Sequence, residues 1–380
     1  MKPHEAKQRC HTYTFEELLR FVKILLSNLM KISHIRIVGA GLIGTSIALA
    51  CSKLGYTVDL DDLDPAARDL ARDLLLSSIS KAEPELVVIA TPPSSAFETL
   101  KSEFGKHPQA MFIDVGSIKN NLLQDVESFS EISKRFIGTH PMAGREVAGP
   151  SSAQGDLFNG RAWIVTPTSK TSSELVETIT SFLSDLGATT YALEAGKHDE
   201  LLARISHLPQ IISTALGAAI ANMDSGLELA GQGLRDMTRI AGSDGTLWSE
   251  ILLANKYEVL NSIDEFLLQI MKMKSLISQN KKSEIENIFM EGNTGRAKVS
   301  GKHGAQPRNY SYVLVVIKDQ PGALRDLFDE CAQVNANIED LSIEHSPKQE
   351  TGLISLAFSQ EDAHKVVEHL QSNNWKVHLK

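Results

Sequence analysis

Short apolar runs alternate with segments of helical periodicity over residues 34–140. Each run is short enough for a strand buried on both faces, and the intervening segments carry apolar residues at helical spacing. The predicted strands cover residues 34–39, 56–62, 86–90, 110–114 and 135–138. Alternation of this kind indicates βαβ units, so we predict an α/β fold with a parallel, doubly wound sheet. A strand at 162–166, a helix at about 172–186 and a strand at 188–193 are predicted to complete that sheet.

The pattern becomes almost entirely helical from His198 onward. Residues 198–222 form one apolar helical stretch, which Pro209 is expected to kink because proline cannot donate a helical hydrogen bond. A second long helix is predicted over residues 247–278. Helices this apolar must bury their faces against each other and against a second subunit, so we predict an all-α dimerisation domain and a homodimer.

The C-terminal part has a different organisation. Residues 292–309 are rich in glycine and polar side chains, which is typical of a linker. Strands and helices then follow in the order βαββαβ, the ferredoxin-like arrangement. The predicted domains are an extension at 1–30, a nucleotide-binding domain at 31–195, a helical domain at 196–291, a linker at 292–310 and a small module at 311–380.

A glycine motif, Gly39-x-Gly41-x-x-Gly44, joins the first predicted strand to the first helix. Gly39 allows a tight turn out of the strand, Gly41 leaves room for a pyrophosphate, and Gly44 lets the helix pack close to the strand. The helix N-terminus adds free N–H groups and a partial positive charge. Together these features predict a Rossmann-type dinucleotide site. The alternative is a glycine turn in an unrelated α/β protein.

An acidic residue at the end of the second strand favours NAD over NADP. Asp62 lies eighteen positions after Gly44, close to the spacing expected of a carboxylate that binds a ribose hydroxyl, and its charge repels a 2′-phosphate. A proline turn after the third strand should line the nicotinamide side, because ligands bind at the carboxyl ends of parallel strands. The predicted NAD-contacting residues are Gly39, Gly41, Leu42, Ile43, Gly44, Asp62, Thr91 and Pro92.

Composition and charge narrow the class of protein. The 380 residues are 42% apolar and 22% charged, as in an ordinary globular protein of about two or three domains. The net charge of −9 argues against nucleic-acid binding. Three scattered cysteines suggest neither disulfides nor a metal site and fit a cytoplasmic location. No apolar run is long enough to span a membrane.

The first thirty residues carry a mildly apolar stretch that lysine interrupts and that lacks a signal-peptide cleavage site. Met30 directly precedes the nucleotide-binding strand. We expect that translation starts at Met30 or that residues 1–30 form a peripheral extension, so that a chain starting at Met30 keeps full activity.

Two strand ends carry candidate catalytic side chains. Ser117 follows the fourth strand and is predicted to cap the next helix, to contact substrate, or to do both. His140 follows the fifth strand and is held in front of a proline at the rim of the cofactor cleft. A histidine in that position is a candidate for acid–base catalysis, because imidazole changes charge near neutral pH.

Several motifs, in this order, resemble those of the prephenate/arogenate dehydrogenase family of tyrosine biosynthesis. They are residues 39–46 (GAGLIGTS), 114–119 (DVGSIK), 139–144 (THPMAG), 198–199 with 206–209 (HD…SHLP) and 236–241 (DMTRIA). The resemblance covers about residues 31–380. It implies NAD-dependent oxidative decarboxylation of prephenate to 4-hydroxyphenylpyruvate, with hydride transfer to the nicotinamide and loss of the ring carboxylate as CO₂.

The resemblance also implies roles for individual residues. His140 matches the catalytic histidine, and Ser117 matches a serine that binds the same substrate hydroxyl. Arg239 matches an arginine that binds a substrate carboxylate, although spacing alone does not favour it over Arg235. The remaining matches are Ser206, an active-site serine; Asp199, an acid that pairs with the arginine across the site entrance; and Trp248, which lies near the pocket in the family but is explained equally well as a core residue.

One position departs from the family pattern. Many prephenate-specific members have a second histidine four residues after the serine, where this chain has Gln210. The position is expected to lie near the substrate side chain, and glutamine can both donate and accept a hydrogen bond. Prephenate remains the preferred substrate, and arogenate, which carries an amine in place of the ketone, is the alternative.

The module at 311–380 resembles an ACT domain, a small amino-acid-sensing unit. Its predicted effector-binding residues are Asp319, Pro321, Gly322, Ala323, Leu324 and Asn337. The resemblance implies tyrosine as a feedback effector bound across a dimer. The alternative is a βαββαβ module that only dimerises, since a fold does not determine a function.

Two alternative functions have less support in the sequence. A dehydrogenase of the β-hydroxyacid class would use a catalytic lysine on the helical domain, but Lys197 and Lys256 have no supporting motif. A non-catalytic sensor that binds NAD and an amino acid is disfavoured by the intact His140, Ser117 and Arg239. The sequence leaves open whether the oligomer is larger than a dimer and whether a chorismate mutase associates.

Overall fold

The computed structural model describes residues 32–75, 82–144, 149–299, 310–345 and 351–380. The N-terminal extension, including Met30, lies outside the described residues. The chain divides into two compact units after Leu268. Across the described ranges, no helix combines the length and the apolar character needed to cross a membrane.

A seven-stranded sheet in the order β2-β1-β3-β4-β5-β6-β7 forms the centre of the first unit. The predicted strands are confirmed, with ends that shift by up to three residues. Their bounds are β1 His34–Val38, β2 Thr57–Asp61, β3 Leu86–Ile89, β4 Met111–Asp114, β5 Phe136–Pro141, β6 Ala162–Thr166 and β7 Thr189–Ala192. β2 and β3 flank β1, so the strand order reverses beside the glycine motif, where doubly wound sheets bind ligands.

The direction of the last two strands differs from the prediction. Strands β1 to β5 are parallel, but β6 runs antiparallel to β5, and β7 runs parallel to β6. The prediction of a parallel sheet is therefore wrong at this edge. A parallel connection needs a crossover, usually a helix. The described residues between β5 and β6 contain only the short 3₁₀ turn Pro150–Ser152.

Helices cover the sheet because each buries an apolar face against it. In α1, for example, Ile47, Ala48 and Cys51 are fully buried in the main core. The bounds are α1 Leu42–Lys53, α2 Pro65–Leu75, α3 Pro93–Lys106, α4 Asn120–Glu127, α5 Ser130–Ser133 and α6 Ser173–Asp185. The predicted helix at 172–186 is thus confirmed.

The helical stretch that follows the sheet is interrupted before its proline. Helix α7 (Ala195–Leu202) passes into a π-helical turn at Ala203–His207, and α8 (Leu208–Ile220) continues from there. Pro209 occupies the first turn of α8, where a missing N–H costs little. The expected kink at Pro209 is therefore replaced by a π turn that ends two residues earlier.

The second predicted long helix is two helices. After α9 (Gln232–Thr238) and the 3₁₀ turn Arg239–Gly242, α10 covers Gly245–Ala254 and α11 covers Lys256–Ser278. Asn255 lies at the break and buries its amide among neighbouring polar groups. In a single chain, large apolar side chains of these two helices are exposed, including Leu253, Tyr257, Leu260 and Leu268.

Helix α12 (Lys282–Ala297) extends through the glycine-rich residues 292–296. The linker prediction is therefore wrong for residues 292–297, since glycine lowers helix propensity but does not forbid a helix. Residues 300–309 of the predicted linker lie outside the described residues.

The C-terminal module has the predicted βαββαβ order. Its elements are β8 Ser311–Lys318, α13 Ala323–Gln333, β9 Asp340–His345, β10 Thr351–Phe358, α14 Gln360–Ser372 and β11 Lys376–Leu379. The strands form an antiparallel sheet in the order β11-β8-β10-β9, and the two helices pack on one face of it through Leu327, Val366 and Leu370. The predicted ferredoxin-like arrangement is confirmed.

Candidate active site

The glycine loop after β1 leaves space where a dinucleotide would need it. Gly39 has φ +115°, and a Cβ there would lie 2.3 Å from the carbonyl oxygen of Ala90. A Cβ on Gly44 would lie 2.0 Å from the carbonyl oxygen of Gly39, so both positions require glycine. A Cβ on Gly41 would meet nothing within 4 Å. The open space at Gly41 and the absence of a side-chain cap on α1 leave the first-turn amides available to a phosphate group.

Asp62 lies beside this loop. Its Oδ2 atom accepts a hydrogen bond of 2.6 Å from the Ala40 N–H, and its Oδ1 atom accepts one of 2.8 Å from the Asp64 N–H. The neighbouring Asp61 is paired with Arg36 at 3.1 Å. Asp62 is therefore the acid that the fold holds against the glycine loop, which fits a ribose hydroxyl and disfavours a 2′-phosphate.

His140 lies on β5 and is held by a buried framework. The adjacent Thr139 donates its N–H to Asp114 Oδ1 at 3.0 Å and its hydroxyl to the Asp114 carbonyl oxygen at 2.5 Å. The Trp163 indole donates to the Thr139 hydroxyl at 2.9 Å. The other carboxylate oxygen of Asp114 pairs with the fully buried Lys119. The ends of β4 and β5 are thus locked together next to His140.

A chain of three side chains leads from His140 to α7. The Nδ1 atom of His140 lies 2.9 Å from Nε2 of His198, and Nδ1 of His198 lies 2.7 Å from Oδ1 of Asp199. The Asp199 carboxylate also accepts the backbone N–H groups of Lys119 at 2.9 Å and Asn120 at 2.8 Å. His198 and Asp199 are 0% and 3% exposed, so water does not compete for these bonds.

Asp199, the acceptor at one end of this hydrogen-bonded series of side chains, determines where the protons of His198 and His140 lie. A carboxylate can only accept, so His198 donates through Nδ1 and its Nε2 is left as an acceptor. His140 must then donate through Nδ1, which leaves the lone pair on its Nε2. In the neutral network, Asp199 therefore selects Nε2 as the basic nitrogen of His140.

The electrostatic environment keeps two of the nearby histidines neutral. The pKa of His140 is well below its ordinary value, first because burial disfavours the charged ring and then because His198, Lys119 and His207 lie close by. Burial lowers the pKa of His207 to about 4, although Asp199 opposes that change. A neutral His140 is the form that can accept a proton.

Two sequence predictions about this region are wrong. Asp199 was expected to pair with Arg239 across the site entrance, but its contacts are with His198 and the two backbone amides. Ser117 was expected to cap α4, but the N-cap of that helix is Lys119, without a side-chain cap bond. The carboxylate of Asp199 caps α4 in place of Ser117, which is half-buried. The substrate-contact alternative for Ser117 stays a prediction.

The predicted substrate-side residues lie on the helical elements. Ser206 is half-buried in the π turn, four residues before Gln210, so the two share a face. The ring of Trp248, on α10, lies edge-on to His207 at 6.1 Å between centroids. Arg239 is exposed and begins the 3₁₀ turn Arg239–Gly242. Gln210 is 6% exposed and bonded to protein groups.

A cavity of about 380 Å³ opens at the carboxyl ends of β3 and β4. Its walls include Thr91, Asp114 and Gly116 from the strand ends and Glu250 and Leu253 from α10. The hydroxyl of Thr91 is buried and has no hydrogen-bond partner among the described residues. Such an orphaned donor fits the predicted role of Thr91 as a cofactor contact. Pro92, the N-cap of α3, adjoins it.

The predicted effector turn lies on the C-terminal module. Gly322 has φ +93°, a conformation that favours glycine, and it caps α13. Asp319, Pro321 and Gly322 are exposed, Leu324 is half-buried, and Ala323 is buried in the core of the module. Asn337 is exposed and donates to Glu339 at 3.0 Å.

Sequence reasoning missed three residues of the network. His198 was seen only as part of a motif, Lys119 only as the last residue of one, and Asn255 was not singled out. The Asn255 amide donates to the Asp199 carbonyl oxygen at 2.8 Å and lies 3.3 Å from Nδ1 of His207. A histidine directly before an acid was the available signal for His198. No local signal marked Asn255.

Two models of one protein family match consecutive parts of the chain. The family model described as "Prephenate dehydrogenase, nucleotide-binding domain" matches residues 48–192, and "Prephenate dehydrogenase, dimerization domain" matches residues 194–291. The prephenate dehydrogenase of Bacillus subtilis is 29% identical, over 88% of this chain and 94% of the relative. An alignment over that share of the chain necessarily extends beyond residue 291.

Two solved structures are similar to most of the chain. One is prephenate dehydrogenase from A. aeolicus in complex with hydroxyphenyl propionate and NAD⁺, at 27% identity and a TM-score of 0.64, covering 71% of this chain and 99% of that one. The other is arogenate dehydrogenase from Synechocystis, at 27% identity and a TM-score of 0.60, covering 70% and 99%.

Proposed function

Because the chain belongs to the prephenate dehydrogenase family, we propose that it catalyses the NAD-dependent oxidative decarboxylation of prephenate to 4-hydroxyphenylpyruvate in tyrosine biosynthesis. The observation that carries the proposal is the buried network His140–His198–Asp199 at the end of β5, in the same sheet whose β1 carries the glycine loop. It supplies a neutral base of defined tautomer where a hydroxyl is to be oxidised. The scattered cysteines and the need for NAD support a cytoplasmic location.

In this reaction His140 accepts the proton of the substrate 4-hydroxyl through Nε2 as the C–O bond gains carbonyl character. The open space at Gly41 and the free amides of α1 would hold NAD, which would supply the acceptor for the hydride of the same carbon. The ring carboxylate leaves as CO₂, its bonding electrons complete the aromatic ring and return the C–O bond to a single bond, and the phenolate oxygen takes the proton back from His140. Ser117 donates a hydrogen bond to the reacting hydroxyl and orients it towards His140.

Arg239 binds a substrate carboxylate, for which a planar guanidinium is well suited. Its exposure in a single chain is compatible with that role. Ser206 contacts the substrate from the π turn, and Trp248, whose ring lies edge-on to His207, lies near the bound substrate. The β-hydroxyacid alternative has little support, because Lys197 is paired with Glu200 on the surface of α7.

The substrate is prephenate in preference to arogenate. Steady-state NADH or NADPH formation should be measured with each substrate and each cofactor. Turnover of prephenate with NAD is the expected result. A strong preference for arogenate would keep the chemistry and transfer the assignment to the amine substrate. Turnover of neither substrate by a chain that still binds NAD would replace the proposal with that of a non-catalytic sensor.

The active form is a homodimer built by the helical domain. The exposed apolar side chains of α10 and α11 support this assignment, since faces of this kind are normally buried in an interface. The match to a dimerization domain supports it further. Sedimentation at micromolar concentration should give twice the chain mass.

The module at 311–380 is an ACT domain that binds tyrosine as a feedback inhibitor. Its βαββαβ order and the glycine turn at Gly322 support this proposal. A chain truncated after residue 299 should keep its activity and lose inhibition by tyrosine, a coupling of about 1–3 kcal/mol in typical cases. If tyrosine inhibits the truncated chain as strongly as the full chain, the module is not the sensor. If tyrosine does not inhibit the wild-type enzyme, the alternative of a module that only dimerises is favoured.

A further inference from the structure

The side chain of Gln210 connects α8 to the turn that carries Arg239. Its Nε2 atom donates to the carbonyl oxygen of Ile240 at 2.8 Å and lies 3.3 Å from the Thr214 hydroxyl. The amide orientation is determined by chemistry, because a carbonyl oxygen requires a donor opposite it. Ile240 directly follows Arg239 in the same 3₁₀ turn.

Ser243 completes this connection. Its hydroxyl lies 2.7 Å from the Ile240 carbonyl oxygen and 3.4 Å from Oε1 of Gln210, so its single proton is directed mainly to Ile240. One backbone carbonyl thus receives donors from α8 and from the end of the turn. The turn also lies close to α8 at Gly217, where a Cβ would be 3.5 Å from Cβ of Ala241.

Few hydrogen-bonding groups of Gln210 are available to a ligand. Both of its N–H groups have protein acceptors, one lone pair of Oε1 faces Ser243, and the residue is 6% exposed. A neutral histidine has one donor and one acceptor and cannot reproduce this set of contacts. The contacts of glutamine here are therefore those of a connector between two backbone elements.

We propose that Gln210 is a positioning residue, which sets the affinity for substrate by holding the Arg239–Gly242 turn in place instead of contacting the substrate. This inference rests on the proposed function, in which Arg239 binds a substrate carboxylate. A bidentate arginine–carboxylate pair depends strongly on the position of the guanidinium. A shift of the turn therefore weakens binding of prephenate and arogenate alike.

The test begins with Gln210→Met, which keeps the side-chain volume and removes every polar contact. The KM for the preferred substrate should rise about tenfold, as expected for one backbone hydrogen bond. The value of kcat should change by less than about threefold, in line with lost ground-state binding. The KM for NAD and the ratio of kcat/KM between prephenate and arogenate should not change. Thr214→Val, which removes only the 3.3 Å contact, is the matched control and should behave like the wild type.

A double-mutant cycle separates the two possible roles. Arg239→Lys keeps the charge and a measurable rate, and it should itself raise the KM for substrate. In that background Gln210→Met should raise the KM by less than about twofold. Ser243→Ala weakens the same anchor from the other side and should raise the KM in the same direction by a smaller factor, so it replaces Gln210→Met if that variant does not fold.

Equal effects of Gln210→Met in both backgrounds, an unchanged KM, or a changed preference between the two substrates would overturn the positioning role. The last result would show direct substrate contact. Each of these results leaves the proposed function intact, provided that the wild-type chain turns over prephenate or arogenate. Turnover of neither by the wild type is the distinct result that would reject the proposed function.

Discussion

The imidazole of His140 lies 2.9 Å from that of His198, ring nitrogen to ring nitrogen. Two such atoms can bond only if one donates and the other accepts, so neither ring is free to choose its tautomer. Asp199 fixes both tautomers, because its carboxylate can only accept a hydrogen bond from His198. A buried carboxylate thus determines which nitrogen of His140 is the base.

Asp199→Asn should therefore impair catalysis without removing the base. An amide at this position can donate to His198 and reverse both tautomers, which would place the proton of His140 on Nε2. We expect kcat to fall about 10²-fold or more, as when a catalytic histidine is held in the wrong tautomer. Stopped-flow single turnovers would measure the hydride-transfer step directly.

The control for this variant is Asp185→Asn, which removes a surface carboxylate that accepts from Tyr56. Because Asp199 also caps α4, thermal unfolding must be recorded for both variants. A folded Asp199→Asn enzyme with a wild-type rate would show that the proton arrangement does not matter for catalysis.

His140→Asn should reduce kcat by about 10²- to 10⁴-fold, the usual contribution of a positioned general base. Asparagine keeps a polar side chain that can still meet His198, so the framework of Thr139 and Asp114 should survive. Binding of NAD, measured by titration calorimetry, should be unchanged. A variant with undiminished turnover would exclude His140 as the base.

The sequence predicted the elements of this site better than the contacts between them. Strand positions, the glycine loop and His140 at a strand end follow from local periodicity, which burial of the sheet enforces. The bond from His140 to His198 spans 58 positions, and the cap that Asp199 provides for α4 spans 80. No local pattern carries that information.

The errors have the same origin. Serine is a residue type that commonly forms N-caps, which is why Ser117 was expected to be one. The helix begins after Lys119, however, and the distant carboxylate of Asp199 accepts hydrogen bonds from the backbone amides there. The apolar run of β6 was recognised, but its direction depends on the path of the connection from β5. The partners of Gln210 likewise depend on how the 239–243 turn packs against α8, which no local pattern specifies.

The rate profile should extend to low pH. Burial lowers the pKa of His140 from its ordinary 6.5, and the proximity of His198, Lys119 and His207 lowers it further, so the neutral base persists below that pH. We expect the acid limb of kcat/KM to have an apparent pKa below 6.5. A limb at or above that value would mean that another group controls the rate.

Stability should fall in mild acid because of His207. The pKa of this residue is about 4 in the folded chain, against an ordinary 6.5, so the unfolded chain binds the extra proton between these values. The contribution of His207 to the free energy of unfolding is therefore complete above pH 6.5. It decreases by about 3 kcal/mol as the pH falls towards 4.

His207→Gln tests this contribution, since glutamine can accept from Asn255 and does not titrate. The free energy of unfolding from urea titrations at pH 7 and pH 4.5 should differ less for His207→Gln than for the wild type. His140 and the carboxylates of lowered pKa, such as Glu85 and Glu103, contribute to the remaining slope in the same direction. Equal slopes for the two proteins would show that His207 is not neutral in the folded chain at mildly acidic pH.

Cofactor preference should depend on Asp62. Its carboxylate lies against the glycine loop through the Ala40 N–H, where it can bind a ribose hydroxyl and repel a 2′-phosphate. Asp62→Ser removes the charge and keeps a hydroxyl. We expect kcat/KM with NAD to fall about 10- to 100-fold, the loss of a hydrogen bond to a charged group, while kcat/KM with NADP rises. Asp59→Ser is the matched control, because Asp59 lies on the same strand and is paired with Arg36 at 2.5 Å, so its substitution should not affect the ratio. If both variants changed cofactor preference equally, the effect would be one of general charge near the loop, and the specific contact with Asp62 would be rejected.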